Sequence, residues 1–179
     1  MAVKTKNKLA NSLIELLKTN SIDNLTISDI VEKCGVNRQT FYYHFKDMND
    51  FLRWTFDTRI FTHSPNVNLD NWTEFMDSMI ENARENERFV YEAFHSKHRA
   101  SLEQHLYEYI YEFVHNVVDN SHPDSLNKSE KDFYSRFYAY SLGGFILSWI
   151  LHNLKEDPSV FIKQVNKYVV SKIENSISD

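Results

Sequence analysis

The chain is predicted to be all-α, with no strands and about nine helices. Only three Gly and three Pro stand among 179 residues, which leaves little of the chain for loops. Leu, Glu, Lys, Asn and aromatic residues are abundant, and apolar side chains recur at i, i+3, i+4 and i+7. The length suits one or two small domains with a real core.

Met1–Thr5 reads as a frayed arm before a first helix over about Lys6–Thr19, whose stripe is Leu9, Leu13, Leu16 and Leu17. Lys4, Lys6 and Lys8 either reach a polyanion or are ordinary solvated lysines. Asn20-Ser21 ends the helix, and Ile22 and Leu25 return to its core. Thr26 caps a second helix, and Asp29 three residues on reaches back to the cap. Ile27, Ile30, Val31 and Cys34 form its apolar face, and Gly35 follows where a positive φ is needed. Val36 plugs the turn and Asn37 caps a short third helix. Phe41 and Phe45 face inward. Arg38, Gln39, Thr40, Tyr42, Tyr43 and His44 are left to point largely outward, and their side chains are of the kind that bond base edges and phosphates.

Asp47 caps a helix over about Met48–His63, with Trp54, Phe56, Ile60 and Phe61 inside. Ser64–Asp70 is a loop. Asn71–Glu85 is periodic in Trp72, Phe75, Met76, Met79, Ile80 and Ala83. After Asn86 a short helix carries Phe89, Val90, Ala93 and Phe94, and His95–Arg99 is a bend. Ser101 then caps a helix to about Asp119, with Leu102, Leu106, Tyr109, Ile110, Phe113 and Val117 inward. Asn120–Ser129 is a loop. A long helix runs from Lys128 or Ser129 to about Asn153 and is apolar all round, so it must be covered on every side. Asp157 and Pro158 open a last helix carrying Phe161, Val165, Tyr168, Val169 and Ile173.

The run TISDIVEKCGVNRQTFYYHFKDM over Thr26–Met48 resembles the helix-turn-helix of the TetR family of bacterial transcriptional regulators. The residues that carry the resemblance are Thr26, Ile30, Val31, Gly35, Val36, Asn37, Thr40, Phe41, Tyr42, His44, Phe45 and Lys46. Met48 departs from the pattern, since the family often has a second lysine there. The resemblance implies a DNA-binding domain at 1–47 and a helical regulatory and dimerisation domain at 48–179. Carried over by position, it sets Arg38, Gln39, Thr40 and Tyr43 on base edges. It sets Tyr42, His44, Lys46 and the helix start at Thr26–Ser28, including Ser28, on phosphates. It also implies that a shift of the helix from Met48 carries ligand state to the DNA. The stretch FYAYSLGGFILSWI at Phe137–Ile150, followed by EDP, resembles the C-terminal region of a branch found with dihydroxyacetone-kinase operons. Some members of that branch are activators worked by a protein partner.

Function is therefore expected to be sequence-specific binding of double-stranded DNA by a homodimer on a near-palindromic operator. Control would come from a small-molecule effector or a protein coactivator. The expected dimer interface is a four-helix bundle of the last two helices with their symmetry mates, through Tyr138, Gly143, Gly144, Phe145, Trp149, Phe161, Val165 and Tyr168. Close approach of a neighbouring helix would offset a cost of roughly 1 kcal/mol per helical glycine at Gly143 and Gly144. Trp54, Phe61, Trp72, Phe75, Met76, Met79, Phe94, Tyr107 and Tyr109 line a ligand pocket or form plain core.

Residues 1–50 hold seven Lys/Arg and six Asp/Glu, and residues 51–179 hold thirteen and nineteen. Affinity for DNA then rests on a few placed cations and amides, and the acidic remainder is kept off the duplex. The single Cys34 excludes an internal disulfide and is expected to be a packed core thiol, with redox sensing as the alternative. His95, His98 and His105, with Glu92 or Glu103, raise the alternative of a zinc-responsive regulator. No cofactor is expected. No phosphate-binding glycine loop, nucleophile elbow or HExxH motif points to an enzyme. A dimeric helical adaptor that has lost DNA binding is the other alternative. Met1–Lys8 lacks an apolar core, and no run of about 18 apolar residues occurs, so the chain is expected to be cytoplasmic with no membrane partner.

Overall fold

In the computed structural model, residues 2–61, 71–121, 126–155, 157–165 and 167 are described. Among them are nine α-helices, one 3-10 turn and no strand. Helix α1 (Ala2–Leu17) begins well before Lys6, correcting the frayed arm. No Gly or Pro interrupts residues 2–17, and the Lys6 ammonium anchors the first turns, 5.0 Å from the Phe45 ring centroid and 5.3 Å from that of Trp54. Leu9, Leu13 and Leu17 are buried as the stripe predicts. The 3-10 turn Ile22–Asn24 returns Ile22 and Leu25 to the same core.

Helices α2 (Ile27–Cys34) and α3 (Arg38–His44) cross over this base. Helix α4 (Met48–Ile60) leaves the small N-terminal core and enters the larger one. It is shorter than predicted, and the predicted loop at 64–70 lies outside the described residues. Phe51 at its start meets Phe41 at 5.4 Å and Phe45 at 4.9 Å between ring centroids. Phe56 at its far end meets Phe94 at 5.5 Å. One helix thus has each end built into a different aromatic cluster.

Helices α5 (Trp72–Glu85) and α6 (Glu87–Phe94) follow, both with strong apolar faces that are buried. Helix α7 (Arg99–Ser121) starts two residues before Ser101, which therefore sits inside the first turn rather than capping it. The bend ends earlier because His98 O already accepts from Ser101 N at 3.1 Å and Leu102 N at 3.3 Å. Helix α8 (Lys128–Leu151) opens on a capping box from Asn127, whose Oδ1 accepts from Ser129 N and Glu130 N. The last described helix, α9 (Pro158–Val165), opens as predicted, with Asp157 Oδ1 accepting from Ser159 N at 3.0 Å.

Helices α7 and α8 pair along their length. Ser135, Ala139 and Gly143 lie four residues apart on α8 and are all buried against α7. A Cβ on Gly143 would lie 3.4 Å from the Tyr107 ring and 3.5 Å from Ile110. The close approach predicted at the glycine pair is thus met within the chain at Gly143, while Gly144 has no atom within 4 Å of its missing Cβ. No described helix is long and apolar enough to cross a membrane.

Candidate nucleic-acid interface

Local chemistry holds α2 and α3 in a rigid corner. Thr26 Oγ1 accepts from Asp29 N at 3.3 Å, and Asp29 Oδ2 accepts from Thr26 N at 2.7 Å, so two free helix-end donors are satisfied reciprocally. Bonds from the Thr26 hydroxyl and amide hold the Asp29 carboxyl below the usual carboxylate range. Gly35 adopts φ 72, and Val36 N donates to Val31 O at 3.0 Å, closing the corner. Asn37 Oδ1 accepts from Thr40 N at 2.8 Å and from Thr40 Oγ1 at 2.9 Å.

With Phe41 and Phe45 buried below, α3 presents a polar face outward. Arg38, Gln39 and Lys46 are exposed, Tyr42 is 56% exposed and Tyr43 is 82% exposed. Arg38 Nη2 donates to Ser28 Oγ, so the guanidinium is already steered by α2. Thr26 is exposed, and Ser28, Thr40 and His44 are half-buried. Thr40 spends its hydroxyl on the Asn37 cap, which leaves mainly its methyl for a base. All nine predicted contact residues therefore lie on one corner, with Thr26 and Ser28 flanking the α3 face.

Several features escaped the sequence reading. Lys6 is engaged with Phe45 and Trp54, so it ties α1 to the α3–α4 corner. Asn49, Arg53 and Asp57, at four-residue spacing on α4, face the α6–α7 bend. Asn49 Oδ1 lies 2.6 Å from His98 Nδ1, Arg53 Nη1 donates to Ser101 Oγ at 3.4 Å, and Asp57 Oδ1 lies 2.7 Å from His105 Nε2. Burial and the neighbouring Lys97 push the His98 pKa down, against a smaller upward pull from Asp23 and Asp47. Further back, Glu92 Oε2 accepts from Ile22 N at 3.0 Å, and Arg88 Nε donates to Leu17 O at 3.1 Å. Polar residues every four positions on a helix predicted to be internal were the available signal for the α4 row.

The three histidines do not converge. His98 and His105 have the partners just named, and His95 stacks on Tyr91 at 4.2 Å with Nδ1 2.8 Å from Tyr91 O. No group of three or more metal-ligating side chains occurs among the described residues, so the zinc alternative has no geometry there.

A cavity of about 270 Å³ lies between α4, α5, α7, α8 and α9. Phe61, Met76 and Met79 line it, as predicted for a pocket. The other predicted lining residues are placed elsewhere. Trp54 packs on Phe45 at 5.5 Å, Trp72 and Phe94 are buried core, and Phe75 lies 5.9 Å from Phe113. Tyr109 stacks on Phe61 at 3.7 Å, behind the wall, and Tyr107 faces Gly143 and Tyr140. The reason is the rotation of α5 and α7, which turns these rings toward neighbouring helices instead of the gap. Of the predicted dimer residues, Gly144 and Phe145 are exposed, and Tyr138 and Trp149 are half-buried. Gly143 and Val165 are buried within the chain. The Phe161 side chain and Tyr168 lie outside the described residues. Phe133, Phe137 and Tyr140, absent from the predicted interface, form the most exposed apolar face of α8.

Comparison with known proteins agrees with this architecture. The family described as "Bacterial regulatory proteins, tetR family" matches residues 11–53. A second, described as "Transcriptional regulator C-terminal region", matches residues 70–171. The HTH-type dhaKLM operon transcriptional activator DhaS of Lactococcus lactis subsp. lactis (strain IL1403) is 27% identical over 92 residues, 50% of this chain and 49% of that one. The alignment thus spans about half the length of that relative. A solved structure of a dihydroxyacetone kinase operon activator DhaS superposes with a TM-score of 0.67 at 18% identity. It covers 98% of this chain and 97% of that one, a likeness of fold. With a capped helix-turn-helix at one end and a matched regulatory region at the other, the chain belongs to the TetR family of bacterial transcriptional regulators.

Proposed function

We propose that the chain acts in the cytoplasm as a homodimer that reads a near-palindromic operator, with residues 1–47 binding DNA and residues 48–179 regulating and dimerising. Half-site centres then lie about one helical turn apart or slightly more. The reading rests chiefly on one observation: α3 is braced from below by buried Phe41 and Phe45 and leaves Arg38, Gln39 and Tyr43 free to reach base edges. Arg38 suits a guanine edge and Gln39 an adenine edge. Tyr42, His44, Lys46, Thr26 and Ser28 position the protein on phosphates.

The dimer forms through the outer face of α8, centred on Gly144 and Phe145 and extended by Phe133, Phe137 and Tyr140. That face supports the reading because Phe133 is 64% and Phe137 54% exposed in the single chain. Equilibrium sedimentation at micromolar concentration that finds only monomer mass would rule it out. The role printed for the relative, activation of a dhaKLM operon, makes activation of such an operon the preferred output for this chain. A small effector or a protein coactivator sets that output. Selection of bound DNA from a random pool tests the whole reading: it should return an inverted repeat. Recovery of no enriched sequence would favour the adaptor that has lost DNA binding.

A further inference from the structure

The cavity reaches into the core and is not a surface dimple. Phe56, Val90 and Leu106 on its walls are at most 2% exposed. Its walls are almost wholly hydrocarbon and ring carbon, from Ile60, Met76, Met79 and Ile80 to Ile146 and Trp149. Only Ser148, Asp157 and Gln164 bring polar side chains to it, all on the α8–α9 side, and all three are exposed, so they stand at the mouth. Bonds from Ser159 hold the Asp157 carboxyl below the usual range, so it is an anion at neutral pH.

These features define a ligand chemistry. An apolar wall gives no partner to a buried hydroxyl, and each unpartnered polar group costs a few kcal/mol on transfer. A polyol is therefore excluded, and an organic anion would meet the Asp157 carboxylate at the only polar end. Size follows from scale, since an apolar cavity of about 150 Å³ holds benzene. We propose that this cavity binds a compact, neutral, largely aromatic or alicyclic molecule of about ten non-hydrogen atoms, with one hydrogen-bond donor directed at Asp157. As a means of control, the assignment rests on the ligand-governed regulator proposed above. Phe56, Ile60 and Phe61 make one wall from α4, whose other end carries Phe51 against Phe41 of the reading helix.

The test uses the full chain and 2-naphthol as probe, with naphthalene, glycerol and 2-naphthoate beside it, by isothermal titration. 2-Naphthol should bind with a Kd well under about 1 mM, several-fold more tightly than naphthalene, and glycerol and 2-naphthoate should give no heat. Asp157→Asn retains a helix cap and should bring 2-naphthol and naphthalene closer together in affinity. Ala83→Trp should fill the cavity and abolish binding; Val90→Phe serves the same purpose if that variant fails to fold. No heat with 2-naphthol, tighter binding of glycerol or 2-naphthoate, or binding undiminished in a folded filled variant overturns the assignment. Binding in the cavity with no change in affinity for selected DNA upholds the ligand chemistry and refutes ligand control.

Discussion

Glu92 offers the sharpest test of how the DNA-binding unit is seated on the body. Its side chain is buried on α6, and its Oε2 accepts from Ile22 N at 3.0 Å, across 70 residues of chain. The other oxygen pairs with Arg88 Nη2 at 2.8 Å. In Glu92→Ala the Ile22 amide loses its acceptor, and an orphaned buried donor costs about 1–3 kcal/mol. The ion pair adds little, because the Arg88 side chain is 56% exposed and solvent screens it. Destabilisation of about 2–3 kcal/mol follows, a fall in Tm of about 5–10 °C for a chain of this size. Glu92→Gln keeps a carbonyl oxygen for Ile22 and should lose under about 1 kcal/mol. Urea unfolding at one fixed protein concentration measures both. Hydrogen exchange at Ile22 should accelerate in the alanine variant and stay near wild type in the glutamine variant. A Glu92→Ala protein within about 0.5 kcal/mol of wild type would mean that this bond does not seat the unit.

The two open glycines should respond with opposite sign. Gly35→Ala meets no neighbour but must hold φ 72, which costs about 1–2 kcal/mol in denaturant titration. Gly144→Ala also meets no neighbour within the chain, lies inside a helix, and should add about 0.5–1 kcal/mol to monomer stability. If the proposed dimer brings a partner helix over Gly144, the same change should weaken self-association in sedimentation. For Asp29 the folded pKa is depressed, so its cap is fully stabilising above the unfolded value of about 3.9 and is lost as pH falls through the lower folded value. An NMR midpoint at or above the unfolded value would contradict the capping box. Arg38→Ala should cost about 1–3 kcal/mol at one base position and relax specificity there. Lys46→Ala should weaken all sequences alike and reduce the salt slope by about 0.9. Uniform weakening by Arg38→Ala would assign it to phosphate instead.

Short-range physics made the helix-turn-helix legible, because every device in it spans ten residues or fewer. Thr26 with Asp29, Gly35 at positive φ, Asn37 with Thr40, and the Phe41–Phe45 pair are all local rules written in adjacent letters. The cavity lining was only partly legible because it depends on helix rotation. Trp72 and Met76 lie one turn apart on α5, and only Met76 faces the gap. Gly143 shows the same limit. Its sequence context called for a close neighbour but could not say which helix, and α7 of the same chain supplies it.

What joins the two halves is helix α4, and the way it is held argues for rigid transmission rather than bending. Its first turn is locked by rings: Phe51 against Phe41 and Phe45, with Trp54 against Phe45 one turn on. Its middle is tied to the α6–α7 bend by the Asn49, Arg53 and Asp57 row, bonds that are directional and tolerate little sliding. Its last turn carries no such row on the cavity side, only the apolar Phe56, Ile60 and Phe61. Apolar contact is non-directional and repacks at low cost, so the far end is the one an occupant of the cavity can displace. Any such displacement would pivot about the polar row and arrive at α3 as a rotation of the whole braced corner.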